Sequence, residues 1–273
     1  MTYPLLSALQ EANIPFTCFG HSSLVKVFSA AGFSLIGNKH IRDRKWLSSQ
    51  YRNGSYTHAL LCPSSLSAYL PAKLAGIPTV GQHPFCGVRT KKISGAHRVE
   101  HYYELGRHWL GDAILSSENK NFIPIDSASL EIAEKHIAKL VDGSFVAVCP
   151  YAKNLHKGRN KEWPDWKPFI DDYNAKPLLA LVAPEDEARC KSEYPNLPVV
   201  STELLVTAAI MCRADYVLTN DSGAMHLGAH FGASVVGLLG ITDHLETRPW
   251  YGSYLVGDDR IWPSIDQLLR HLH

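Results

Sequence analysis

The stretch TNDSGAMHLGAHFGASVVGLLGITD, residues 219–243, decides the fold of this chain. The apolar run Tyr216-Val217-Leu218 just before it is what a buried parallel strand needs. Asp221-Ser222-Gly223 then offers capping side chains and a permissive backbone where a helix begins. The spacing predicts a helix over 224–231, ended by Gly232, and a second buried strand over 234–239. A helix that opens at the carboxyl edge of a parallel sheet presents unpaired N–H donors. Such a site suits an anion, and a phosphate or diphosphate above all.

Length and composition set the bounds. A chain of 273 residues makes one large domain or two ordinary ones. With 45% hydrophobic and 19% charged residues it reads as a globular protein in water. A net charge of +1 argues against nucleic acid as a partner for the whole chain, so any basic site is local. No run approaches the roughly 18 consecutive apolar residues of a membrane span. The first residues lack the charged start and cleavage site of a secretory signal, so the expected location is the cytoplasm. Six scattered cysteines without a C-x-x-C pair read as buried free thiols in a reducing compartment.

Strand and helix alternate almost throughout, which favours α/β layers with parallel sheets. In the first half, strands are expected at residues 16–19, 58–62 and 77–80, and helices at 4–11, 22–31, 43–51 and 65–74. A polar, turn-rich stretch from 82 to 95 interrupts this order, and helical spacing returns at 97–109 and 127–140. The second set places strands at 145–149, 178–182, 199–200 and 216–218, before the one at the end of the opening stretch. Its other helices are expected at 166–173, 185–193, 203–212 and 265–272. Two halves, 1–142 and 143–273, fit this pattern better than one continuous sheet. Ligands of such folds bind beyond the carboxyl ends of the strands, which points to a cleft between halves.

A second segment carries chemistry: VCPYAKNLHKGRNKEWP, residues 148–164. A buried strand runs into a loop holding Lys153, Lys157, Arg159 and Lys161, with no acid before Glu162. Cations concentrated at a strand end can stabilise a departing diphosphate; the plain alternative is a solvated basic loop. Glu185, in the Pro184-Glu185-Asp186-Glu187 turn, is placed to accept hydrogen bonds from ribose hydroxyls, or simply to favour a helix start. Thr242 offers a hydroxyl to a phosphate, or sits in an ordinary turn. His97/His101 and His226/His230 have the i, i+4 spacing of zinc ligands, yet neither pair has a third ligand nearby in the sequence, so no metal is expected. No Gly-x-Ser-x-Gly elbow, Walker loop or nicotinamide-type glycine fingerprint is present, and no cofactor is implied.

These segments carry a family resemblance. Asn220-Asp221-Ser222-Gly223-Ala224-Met225-His226-Leu227 with Gly240-Ile241-Thr242-Asp243 resembles the signature of glycosyltransferase family 9, the heptosyltransferases. Cys149-Pro150, Lys161-Glu162-Trp163-Pro164, the Pro-Glu-Asp-Glu turn and Thr247-Arg248-Pro249-Trp250 are similar too, so the second half is covered and the first only thinly. The resemblance implies a GT-B fold of two Rossmann-like domains, acceptor on the first and nucleotide-sugar on the second. It implies inverting, metal-independent transfer of heptose from ADP-heptose to a lipopolysaccharide core or similar lipid-linked glycan. That acceptor implies peripheral contact with the inner face of the inner membrane. By position, Lys161 is expected at phosphate, Glu185 at ribose, and Asp221, Ser222 and Gly223 at the diphosphate and sugar, with His226 close by. Family members open with a strand and a Gly-Asp turn whose Asp is the expected general base; no Gly-Asp precedes the first helix here, and the amino-terminal domain is expected to be shortened. His21 and His83, each following a strand, are the candidate replacements. Two other readings stand beside this one: a non-catalytic nucleotide-sugar-binding relative, and a transferase or epimerase using another nucleotide-sugar.

Overall fold

The computed structural model describes residues 1–111, 122–258 and 262–272. The chain divides into two compact units, Met1–Asn121 and Phe122–His273.

In the first unit the order is α1 (Tyr3–Glu11), β1 (Cys18–Gly20), α2 (Val25–Ala30), β2 (Leu35–Gly37), α3 (Arg44–Asn53), β3 (Ala59–Leu61), α4 (Leu66–Leu74), β4 (Thr79–Gly81), β5 (Val88–Arg89) and α5 (Arg98–Leu110). All strand pairs are parallel, in a two-stranded sheet β1-β2 and a three-stranded sheet β3-β4-β5. The helix expected over 22–31 is broken in two, since Ser22–Leu24 is 3₁₀ and the α-helix begins at Val25. β5 falls inside the turn-rich stretch 82–95, which periodicity alone left without a strand. Leu5, Ala8 and Leu9 of α1 pack on Tyr103 of α5 in a small core of their own.

The second unit contains α6 (Ser127–Leu140), β6 (Val146–Cys149), α7 (Trp166–Asp172), β7 (Leu178–Leu181), α8 (Glu187–Glu193), β8 (Val199–Val200), α9 (Leu204–Arg213), β9 (Tyr216–Asn220), α10 (Gly223–Phe231), β10 (Val235–Leu239), α11 (His244–Thr247), β11 (Ser253–Val256) and α12 (Ile265–Leu272). Its six-stranded parallel sheet has the order β11-β10-β9-β6-β7-β8. Alternate residues of each strand enter opposite cores. Ala147, Cys149, Leu179, Leu181 and Val217 join one face with α6, α9 and α10. Val146, Val148, Leu178, Ala180 and Leu218 join the other with α7, α8 and α12. A parallel sheet covered on both faces needs apolar residues at every position, which is why these strands read as unbroken runs. Each fully buried large side chain here, such as Ile210 or Leu238, stabilises by about 1.5–3 kcal/mol relative to exposure.

The boundary expected at 142/143 differs from the division at 121/122. Ala133 and Ile137 of α6 pack against Ala209 and Ile210 of α9, so α6 belongs to the second unit's core. Both halves of the chain are α/β with parallel sheets, as the alternation of elements led one to expect.

Candidate functional site

Four neighbouring strands of the second unit deliver the expected residues to one sheet edge. In the order β10-β9-β6-β7, their carboxyl ends lead into Thr242, the Asp221-Ser222-Gly223 turn, the basic loop and Glu185. The strands are all parallel, so these ends lie side by side.

The helix start is not built as the sequence suggested. Ser222 is the N-cap of α10, but its side chain makes no capping bond; its Oγ lies 3.3 Å from Thr219 Oγ1. The first-turn N–H groups of α10 are therefore free of a side-chain cap. A Cβ added at Gly223 would meet nothing within 4 Å, so open space lies beside that turn. Gly232 closes α10 in the left-handed region at φ 87°, as its position predicted.

Of the four cations in the basic loop, the fold selects Lys161 for the turn. Its Nζ donates to the carbonyl of Asp221 and lies 3.4 Å from Asp221 Oδ2. Both side chains are largely buried, at 14% and 5% exposure. Among the described residues, Oδ2 of Asp221 and Oγ1 of Thr242 are buried without a hydrogen-bond partner. Lys153 pairs instead with Glu185 in an exposed bridge. His226 sits one turn into α10, half-buried.

The loop itself is stapled. His156 and Arg159 exchange both backbone hydrogen bonds at 2.9 Å around Lys157 and Gly158, whose φ values of 50° and 78° suit a type I′ turn. Glu162 accepts from Ala152 N–H at 3.3 Å, Asn160 Nδ2 at 3.3 Å, and both terminal nitrogens of Arg189 at 3.0 and 2.9 Å. Burial opposes the Glu162 charge, but the hydrogen bonds from Arg189, Asn160 and Ala152 outweigh it and hold its carboxyl below the usual range. Arg189 also binds Glu193 and lies 4.2 Å from the Tyr151 ring centre. Burial and the hydrogen bond to Glu193 push the Tyr151 hydroxyl up.

Asn220 was missed as a structural residue. It is fully buried, and its Oδ1 accepts from Trp163 N at 2.8 Å and Trp166 Nε1 at 2.9 Å. Its Nδ2 donates to Cys149 O at 3.3 Å, which ties β9 to β6 and to the end of the basic loop. An amide closing an otherwise apolar strand was the available signal.

The two candidate bases belong to the first unit. His21 caps the 3₁₀ turn, with Nδ1 2.8 Å from Ser23 Oγ. His83 is buried and stacked on Tyr69 at 4.8 Å, its Nδ1 accepting from Phe85 N–H at 3.4 Å. His97 is a helix cap, accepting from Val99 N–H at 3.1 Å. No group of three or more metal-ligating side chains lies together among the described residues.

The profile of glycosyltransferase family 9 (heptosyltransferase) matches residues 45–265. The chain belongs to this family. As a family 9 glycosyltransferase it also shares its fold with solved heptosyltransferases. It aligns with E. coli ADP-heptose LPS heptosyltransferase II at a TM-score of 0.72 and 18% identity, covering 99% of this chain and 92% of that one. A family 9 glycosyltransferase from Veillonella parvula aligns at 0.73 and 20% identity, over 94% and 81% of the two chains. E. coli heptosyltransferase WaaC with ADP aligns at 0.70 and 18% identity, over 100% and 95%. At such identities the likeness carries the GT-B fold. No curated protein sequence matches the chain. Among the described residues, no helix of this family 9 member is long and apolar enough to cross a membrane.

Proposed function

We propose that this glycosyltransferase transfers heptose from ADP-heptose to a lipid-linked glycan, with the donor held by the second unit. One observation carries the reading: a helix N-terminus without a side-chain cap opens beside Lys161 at the carboxyl edge of the parallel sheet. In this reading the diphosphate lies against the first turn of α10, where N–H donors and the helix dipole favour negative charge. Lys161 carries three N–H donors and gives one to the Asp221 carbonyl, which leaves donors for a phosphate oxygen. Thr242 Oγ1 is a further donor awaiting an acceptor. Glu185 exchanges Lys153 for ribose hydroxyls, an exchange its exposed position permits. As the sugar–phosphate bond breaks, these fixed groups stabilise the charge gathering on ADP.

The relatives' names support the donor: one is an ADP-heptose heptosyltransferase and another was solved with ADP. Direct displacement by an acceptor hydroxyl inverts the anomeric centre and asks for a proton acceptor within hydrogen-bond reach. His21 and His83 are the candidates; in each ring Nδ1 accepts a backbone N–H, from Ser23 and Phe85 respectively, so Nε2 carries the proton and the ring must give up that bond to serve as a base. The stacking of His83 on Tyr69 favours a second reading, in which that ring is structural and the chain binds donor without transferring it.

Calorimetry with ADP, GDP and UDP sugars tests the reading. ADP-heptose is expected to bind best, and Lys161→Ala or Asp221→Ala to abolish binding while circular dichroism shows the fold retained. Unchanged affinity in either variant counts against the site. Donor binding without sugar transfer or donor hydrolysis selects the second reading.

A further inference from the structure

We propose that Trp262 is a positioning residue for the donor. Together with Pro263 it sets the spacing between Lys161 and Thr242, two side chains proposed to hold the diphosphate, and so it rests on that donor site. Lys161 and Thr242 stand on separate turns, one after β6 and one after β10, with β9 between the two strands. Each lies two residues from a point where the chain meets Trp262-Pro263.

The first of these points is Gly240. A Cβ there would fall 2.6 Å from Cε2 and 2.7 Å from Cε3 of Trp262, so the indole lies directly against the glycine backbone. Gly240 is not among the residues of positive φ, so its own conformation does not call for glycine. The ring does. The second point is Trp163, whose Nε1 donates to the carbonyl of Pro263 at 2.8 Å in the buried core. One dipeptide therefore braces both donor turns from behind.

That dipeptide is itself anchored. Ser264 N–H donates to Gln267 Oε1 at 2.8 Å, and Gln267 N–H donates to Ser264 Oγ at 3.2 Å, a capping box that starts α12. Leu268, one turn on, is fully buried in the core shared with Trp163 and Trp166. Core filling accounts for Leu268. It does not account for a half-buried indole that requires a glycine beneath it.

The consequence is chemical. Lys161 Nζ and the buried Thr242 Oγ1 can serve one diphosphate together only when their separation matches it, and a binding site tolerates about 0.5 Å of error. A single phosphate makes no such demand, because either group can follow it alone. Trp262 thus favours ligands that carry two linked phosphates.

Calorimetry of the full chain with ADP and with AMP tests this. The parent chain is expected to bind ADP, Lys161→Ala to lose it, and Thr242→Ala to bind it less tightly. Trp262→Ala should weaken ADP on the order of ten-fold and AMP by less than about two-fold. Trp262→Phe keeps a ring on Gly240 and should restore most of the loss. In a double-mutant cycle, Thr242→Ala should cost less in Trp262→Ala than in the parent chain, because the indole acts through that turn. Unfolding curves show whether Trp262→Ala folds, and Trp262→Leu carries the same comparison if it does not. Unchanged ADP affinity, equal weakening of ADP and AMP, or full additivity with Thr242→Ala overturns the inference and leaves Trp262 a packing residue. Failure of the donor site itself looks different: Lys161→Ala and Thr242→Ala then leave ADP affinity unaltered, and the role of Trp262 falls with it.

Discussion

Lys161 Nζ donates to the main-chain carbonyl of Asp221 and lies 3.4 Å from the same residue's carboxylate. Two residues 60 apart in sequence thereby join the loop after β6 to the turn after β9. Lys161→Met leaves the Asp221 carboxylate buried without its cation. A buried charge stripped of its partner costs about 3–5 kcal/mol. Urea unfolding should show a loss approaching that range, and adding Asp221→Asn should restore part of it. Independent, additive effects would mean that the pair does not couple.

Gly223 and Gly240 should respond oppositely to alanine. A Cβ at Gly223 meets nothing within 4 Å, whereas one at Gly240 comes within 2.3 Å of the Trp262 ring. Gly240→Ala is expected to cost about 1–3 kcal/mol through overpacking. Gly223→Ala should leave the unfolding free energy unchanged or raise it by roughly 0.5 kcal/mol, through reduced chain entropy. Its donor affinity should fall at least several-fold if a diphosphate fills that space. Unaltered affinity would move the diphosphate elsewhere.

Asn220 holds two indole-bearing residues through one oxygen. Asn220→Ala strands the Trp163 amide and the Trp166 indole N–H in the core. Each buried donor left unmade costs about 1–3 kcal/mol, so the second unit should lose several kcal/mol. Asn220→Asp keeps the acceptor and should cost less. Tryptophan fluorescence during denaturation reads both effects.

Arg189 positions the basic loop through Glu162 without itself reaching the α10 turn. Arg189→Met should speed hydrogen exchange across residues 150–162 and weaken donor binding, with the fold intact. The same staple sets a pH dependence. Because the Glu162 carboxyl is depressed from its ordinary 4.5, its stabilisation is complete above that value and is lost as pH falls through the lowered one. Exchange in this loop should therefore rise in acid in the parent chain and be less pH-sensitive in Arg189→Met. Equal acid sensitivity in both would remove Glu162 from the account.

Much of the second unit was legible because its elements declare themselves locally. Val199–Val200, Val235–Leu239, Ser127–Leu140 and Ile265–Leu272 fall where apolar runs and helical spacing predicted them. β2, β5 and β11 were not foreseen: β2 and β5 have only three and two residues, and the run Tyr254-Leu255-Val256 of β11 is only partly buried at the sheet edge. The capping role given to Asp221-Ser222 also failed. Those side chains turn to Thr219 and Lys161 rather than to the helix they precede.

The sequence by itself determined the alternation of elements, the doubly covered parallel sheet and the family motifs, because each is written in neighbouring residues. It could not tell which of four cations meets Asp221, that Asn220 latches two strands, or that α6 packs with the second unit. These depend on strand order. With β6 beside β9, residues some sixty positions apart become neighbours, and no local pattern records that adjacency.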